Sequence, residues 1–228
     1  MSDTTVERHS HALQAVRASM PQVVAEAIRA LILDGTLRPG QRIHQEEMAR
    51  RLGVSATPVR EALRQLAVEQ FVTVAPQRGV FVAELSADDI EEIYLMRDAL
   101  EGFAARLAAA NLSATDVARL EDHLEQMKSA ARRRAVQEFL GADRAFHTVV
   151  FGAAHRRTLE QKIFHLWDNS TRAALSVLSH PEMMDFAIRM HQEILDACRA
   201  HDADLLALKT RQHTMETSRR VIDDLRRR

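Results

Sequence analysis

"RLGVSATPVREALRQLAVEQ", Arg51 to Gln70, sets a glycine, two small hydroxyl residues and a proline directly before a run of helix formers that carries arginines on one side. Gly53 is placed to stop one helix. Ser55 or Thr57 can cap the next, with Pro58 near its first turn and Glu61 favourable against the helix dipole. The stretch therefore predicts a helix stop followed at once by a helix start. Upstream, Pro21 opens a segment whose apolar positions Val24, Ile28, Leu31 and Ile32 fall at helical spacing until "DGTLRPG" ends it, and "HQEEMARRLG" reads as a short second helix. Downstream, "FVTVAPQRGVFVAEL" alternates β-formers on either side of "APQRG", a short hairpin with a glycine available for positive φ.

Helix, short helix, tight turn, helix and hairpin is the order of a winged helix-turn-helix. In that arrangement the third helix enters the major groove N-terminus first, and the wing lies along the backbone or in the minor groove. Ser55 and Thr57 place hydroxyls and backbone N–H groups at a helix N-terminus, which attracts phosphate. Arg60 and Arg64, at i and i+4, share a face, and arginine can contact guanine O6 and N7 through both arms of its guanidinium. Ala62, Leu63 and Leu66 offer the side to be buried. Charge agrees: between Gly35 and Val80 seven arginines (38, 42, 50, 51, 60, 64, 78) stand against four glutamates (46, 47, 61, 69), although the whole chain carries a formal charge of only −1. A local basic patch on a near-neutral chain points to a polyanion partner for that segment. The competing reading is an ordinary amphipathic helix with solvated arginines.

"DGTLRPGQRIHQEEMARRLGVSATPVREALRQLAVEQFVTVAPQRGVFV" resembles the DNA-binding domain of GntR-type transcription regulators over nearly all of residues 21–83: "G-x-L-x-P-G", "LGVS-x-TPVREAL" and a wing ending "RG-x-x-V" occur in order. The resemblance implies Arg38, Ser55, Thr57, Arg60, Arg78 and Gly79 as DNA contacts. Two positions depart from the pattern. Ala56 stands where the family usually shows arginine, which removes a guanidinium from operator recognition, and Gln45 stands where glutamate is common.

The 228 residues allow one or two domains, and two of modest size are expected. Alanine, leucine and arginine dominate, with 7 glycines, 5 prolines and few aromatics, the composition of a mostly helical protein. The single cysteine, Cys198, leaves no intramolecular disulfide framework and suits a reducing compartment. The first twenty residues are polar, without the apolar core of an export signal, and nowhere is there an apolar run of the roughly 20 residues that crossing a bilayer needs. A cytoplasmic location is expected. From Ser86, which with Asp89 makes a helix N-terminal box, the pattern is helical, with helices near 86–110, 114–133, 135–152, 156–178, 183–200 and 203–226 and breaks at "NLSATD", "GAAHRR", "SHPEM" and "RAHDAD". No fixed-period repeat is present. The expected organisation is an N-terminal extension (1–20), a winged helix-turn-helix domain (21–85) and an all-α antiparallel bundle (86–228).

The helical half holds a second constellation. Asp143 and His147, in "DRAFH", lie at i and i+4 and can converge on one ion, although such a pair is more often a surface hydrogen-bonded one. His191 and His213 fall on successive helices joined by "RAHDAD", equidistant from residue 202 in that turn. In an antiparallel helix hairpin they sit at the same height, roughly 16 Å from the turn. Three imidazoles and a carboxylate suit Zn²⁺, Ni²⁺ or a similar ion with coordination positions left open. The same mirror relation sets His165 opposite Asp143 about a turn near residue 154, so position alone does not decide the set. His155, His165, His180 and His201 are read as surface or supporting groups.

"D-x-x-FH", then "H-x-x-IL-x-A", then a later helix histidine resembles the metal-binding pattern of the FCD-type effector domain found in FadR-like GntR regulators. The resemblance implies Asp143, His147, His191 and His213 as ligands, a divalent transition metal, most simply zinc, and a small carboxylate effector bound near it. "MH" replaces the usual "EH" before His191, and "AAHRR" replaces a common "GN", so the pocket rim departs from the pattern. Arg97, in "MRDALE", matches a recurrent family arginine that could pair with an acid; alternatively it pairs with Glu101 on an exposed face. Asn169 and Arg172 are further candidates for the effector cavity.

Three functions remain open to the sequence. A one-component regulator would bind a palindromic operator as a homodimer, because one recognition helix reads only a half-site. A metal-dependent hydrolase would need a general base, and no carboxylate sits at a motif-defined position for one. A nucleoid-type DNA binder, with a helical half that only dimerises, would lose stability but no ligand response if the histidines were removed.

Overall fold

The computed structural model describes residues 20–178 and 181–227. The extension before Met20 and His180 lie outside the described residues. The chain divides between Glu84 and Leu85 into two compact units. The expected architecture, a winged helix-turn-helix followed by an all-helical bundle, is the one adopted.

The first unit runs α1 (20–33), β1 (Arg42–Ile43), α2 (Gln45–Leu52), α3 (Ala56–Val68), β2 (Val72–Ala75) and β3 (Gly79–Val82). Val24, Ile28 and Ile32 from α1 pack with Met48 of α2, Val59, Leu63 and Leu66 of α3, and Val72, Val80 and Val82 of the sheet. Gly53 ends α2 in the left-handed conformation at φ 68°, with no Cβ penalty to oppose it. Ser55 follows in extended geometry as the N-cap of α3, so Thr57 is inside the helix rather than capping it. Two expectations fail here in detail. The Ser55 hydroxyl makes no capping hydrogen bond, and the first turn of α3 holds no acidic residue, because a helix starting at Ala56 puts Glu61 in its second turn, beyond the reach of the terminal dipole. The expected hairpin is also one strand short: β1 adds to β3, giving a sheet of order β1-β3-β2. Two residues are too few to alternate visibly, which hid β1 in the sequence.

The second unit holds six helices among the described residues: α4 (Ala87–Ala108), α5 (Ala114–Arg133), α6 (Val136–Gly152), α7 (Arg157–Leu178), α8 (Pro181–Ala200) and α9 (Ala203–Arg227). Ser86 and Asp89 form the expected capping box, and Ser113 with Asp116 forms a second one at the start of α5. The core is built from aromatic and aliphatic side chains, among them Phe139, Phe146, Phe151, Leu120, Leu124 and Ile194. Helices α4 and α9 run antiparallel, since Asp98 meets Arg211 while Glu91 meets Arg226. Gly102 permits their close approach: a Cβ there would lie 2.6 Å from Cγ of Arg211.

Candidate functional site

In the first unit, Arg38, Ser55, Thr57, Arg60, Arg64 and Arg78 are exposed, and Gly79 is half-buried. Burial of Val59, Ala62, Leu63 and Leu66 orients α3, so Arg60 and Arg64 lie on its solvent face. The wing turns through Pro76–Arg78, with Gln77 at φ 62° and Gly79 at φ 111°. Gly79 also has Arg42 against it, the guanidinium Nε lying 3.1 Å from where a Cβ would stand. None of the seven arginines between Gly35 and Val80 has a carboxylate within ion-pair distance among the described residues, whereas Arg29 of the same unit pairs with Glu69. Seven arginines without ion-pair partners, against four glutamates in the same segment, suit a polyanion partner.

In the second unit, Asp143 and His147 on α6, His191 on α8 and His213 on α9 converge, each offering a ligand atom within 4.8 Å of the others. His191 and His213 face each other across the α8–α9 hairpin with ring centroids 4.6 Å apart. The three imidazoles are buried, and Asp143 keeps 13% of its side chain exposed. His191 sits with Nδ1 2.7 Å from the Ala187 carbonyl, which fixes that nitrogen as the donor, so in the neutral ring Nε2 carries the lone pair. That lone pair lies 2.7 Å from Asp143 Oδ1 and 3.1 Å from His147 Nε2. A cation shared among these electron-rich atoms would account for their closeness. Asp143 Oδ1, His147 Nδ1 and His213 Nδ1 have no hydrogen-bond partner, although buried polar atoms are ordinarily satisfied. Burial, followed by the neighbouring imidazoles and Arg97, holds His147 and His213 well below the usual histidine range, so both are neutral and ligand-competent at pH 7. A three-nitrogen, one-oxygen donor set on three helices fits a divalent transition metal.

A cavity lies beside this cluster, lined by Asp143, His213, Arg97, Tyr94, Trp167 and Ser170 among others. Arg97 is 5% exposed, so the exposed-face alternative is ruled out, yet its pairing with Glu101 is real: Nε donates to Glu101 Oε1 at 2.6 Å. Nη1 donates to Ser170 Oγ at 2.8 Å, and the guanidinium carbon lies 4.9 Å from the Tyr94 ring centre and 5.4 Å from that of Trp167. Burial opposes the Arg97 charge, and the Glu101 carboxylate, aided by Tyr94 and Asp143, more than offsets that. Thr214, next to the His213 ligand position, donates to the other Glu101 oxygen at 2.6 Å. Sequence reasoning missed Glu101 and Thr214 as parts of the site. The spacing of Arg97 and Glu101 was visible, but their burial was not. Asn169 and Arg172 are not among the described residues lining this cavity; they bond to each other instead, and α7 presents Trp167, Ser170 and Thr171 to it. His165 on α7, His155 and His201 stand outside the cluster, the last two occupying positive-φ turn positions.

A winged helix-turn-helix and a separate helical unit with a buried polar cluster define a DNA-binding transcription regulator with an effector domain. Residues 21–82 match the bacterial regulatory proteins of the gntR family and residues 92–216 match the FCD domain, so the chain belongs to the GntR family of transcription regulators, in the group with an FCD domain. This is a family of regulators, not of enzymes. The chain is 28% identical to the HTH-type transcriptional repressor RspR of Escherichia coli (strain K12), over 95% of this chain and 93% of that one. It is 32% identical to a probable D-xylose utilization operon transcriptional repressor of Paenarthrobacter nicotinovorans, over 83% of each. The solved structure of E. coli McbR/YncC is similar with a TM-score of 0.79 at 26% identity, covering 92% of this chain and 98% of that one. No helix among the described residues is long and apolar enough to cross a membrane.

Proposed function

We propose that this chain is a ligand-responsive repressor, working in the cytoplasm, that binds a palindromic operator as a homodimer and senses a small organic acid at a metal held by Asp143, His147, His191 and His213. Residues 21–85 read DNA, through Arg38, Ser55, Thr57, Arg60, Arg64, Arg78 and Gly79, and residues 86–228 bind metal and effector and dimerise. The observation that carries the sensing half is the buried cluster whose four ligand atoms lie within 4.8 Å of one another, opening on a cavity that contains a charged, buried arginine. Zinc or nickel, when bound, supplies open coordination positions for a carboxylate oxygen. The chain itself supplies the rest. Arg97 spends Nε on Glu101 and Nη1 on Ser170, which fixes the plane of its guanidinium and positions it to bind an acid. The aromatic rings of Tyr94 and Trp167 keep water from screening that charge. The repressor reading is supported by the two similar proteins described as repressors.

A thermal-shift screen of short carboxylic acids on the metal-loaded, full-length protein tests this. At a concentration 100 times its Kd, a bound acid adds about 2.7 kcal/mol of stability. Arg97→Lys, which loses the planar fork, is expected to abolish that shift while leaving bound metal per chain unchanged. A response by Arg97→Lys equal to the wild type, or no acid that stabilises the wild type, contradicts the proposal.

A further inference from the structure

The cavity beside the metal cluster is small, with free space of about 40 Å³. At roughly 10–15 Å³ for each water-sized group, that holds about three or four such groups. Its polar contacts gather at Arg97, at Trp167 and at the open positions of a metal held by Asp143 and His213. The Arg97 guanidinium lies 5.4 Å over the Trp167 ring, whose N–H is buried with no acceptor among the described residues. A carboxylate supplies the acceptor that this donor lacks. Much of the remaining lining is apolar and buried: Phe139, Leu140, Val177, Met183 and Val221.

Two inventories limit what such a cavity accepts. The first is charge. Among the described residues Arg97 is the one arginine or lysine lining it, so a first carboxylate meets a cation and a second meets none. A charge carried unpaired into a buried site loses its hydration with nothing in exchange. The second inventory is of hydroxyls. Ser170 accepts from Arg97 Nη1 and donates to the Trp167 carbonyl at 2.9 Å, and Thr171 donates to that same carbonyl at 2.8 Å. The Tyr94 hydroxyl shares a hydrogen bond with Ser170. Among the described residues only Thr217, half-buried on α9, lines the cavity with a hydroxyl not engaged in this way. The hydroxyls of a sugar acid would therefore enter with almost no partners, and each unmet group counts against binding.

We infer that the effector is a short monocarboxylic acid with an apolar chain, its carboxylate held by Arg97 and Trp167 beside the metal and its chain against Met183, Val221 and their neighbours, and that dicarboxylates and sugar acids are rejected. This rests on the organic-acid reading above and narrows it to one class. Trp167 is the chain's single tryptophan, so fluorescence titration of the metal-loaded, full-length protein reports on this cavity. The probes are three four-carbon acids: butyrate, succinate, which adds a second carboxylate, and 3,4-dihydroxybutyrate, which adds hydroxyls to the chain. Butyrate is expected to bind at least about tenfold more tightly than either. Met183→Gln, which keeps the length of the side chain and adds an amide, is expected to weaken butyrate several-fold, with bound metal per chain and circular dichroism unchanged. Unchanged butyrate affinity in that variant overturns the placement of the chain. Succinate or 3,4-dihydroxybutyrate binding as tightly as butyrate overturns the class and leaves the organic-acid reading standing. A wild type silent to all three, but stabilised against heat by another acid, does the same. No response to any acid overturns both.

Discussion

Arg97 and Arg211 show how far the surroundings of one side chain change what an ion pair contributes. Both pair with a carboxylate of α4, but Arg97–Glu101 is buried, at 6% and 0% side-chain exposure, whereas Arg211 is 59% exposed. Removing Glu101 strands a guanidinium away from water. Glu101→Ala is expected to cost about 3–5 kcal/mol in a urea titration. Arg211→Ala, which breaks a bridge largely open to solvent, is expected to cost under about 1 kcal/mol in the same titration. Equal losses from the two would show that the Glu101 site is wet. Among the proposed DNA contacts the expected contrast is between base and backbone contacts. Arg60→Ala is expected to lose roughly 1–3 kcal/mol of discrimination between operator and random DNA, measured by fluorescence anisotropy, with the fold intact. Arg78→Ala in the wing is expected to weaken binding to all sequences and to lower the salt slope by about 1. Unaltered discrimination in the first variant, or a loss confined to one base position in the second, would reverse these roles.

Helix starts were among the most legible features of the chain, and their energetics can be tested. The Ser86 hydroxyl, then the Ser86 backbone N–H, hold the Asp89 carboxyl below its ordinary 3.8, and Ser113 does the same for Asp116. A carboxylate depressed in the folded state stabilises it above the unfolded value, and that contribution is lost as pH falls through the folded value. Ser113→Ala is therefore expected to cost about 1 kcal/mol at pH 7 and progressively less below pH 3.8. An undiminished difference in acid would mean the box is held by something other than the ionised Asp116. The capping serines, Gly53 and the apolar periodicity are local signals, so helix ends could be read to within a few residues. Strand β1 could not, because two residues become a strand only through Arg42 and Ile43 pairing with Phe81 and Val80, far along the chain. The same limit explains the site. Asp143 with His147, and His191 with His213, were visible as an i,i+4 pair and as a reflection about a hairpin turn. By contrast, the burial of Arg97, and the choice of Ser170 and Thr171 over Asn169 and Arg172 at the cavity, depend on the rotation of α7 against α4.

The molecule as a whole joins a unit whose arginines 38, 42, 50, 51, 60, 64 and 78 make no ion pair with any described residue to a unit in which three helices share one polar cluster. A metal held by α6, α8 and α9 would fix those helices in one relative arrangement, and an acid replacing water at its open positions while engaging Arg97 would favour one such arrangement over another. The Arg97–Glu101–Thr214 chain runs from the cavity to α9, the helix that also carries His213, so hydrogen bonds connect the cavity arginine to the helix of the cluster. Any coupling to DNA must be reciprocal: an effector that weakens operator binding is itself bound less tightly by the operator complex. All of this depends on the cluster holding a metal ion. The measurement that bears on it most directly is bound metal per chain, by elemental analysis, on full-length wild type and His213→Ala after exposure to zinc or nickel and exhaustive dialysis. The expected result is one tightly bound ion per wild-type chain and a large loss in His213→Ala, with operator binding by the acid-free variant retained. A metal-free wild type, or full occupancy in the variant, would contradict it.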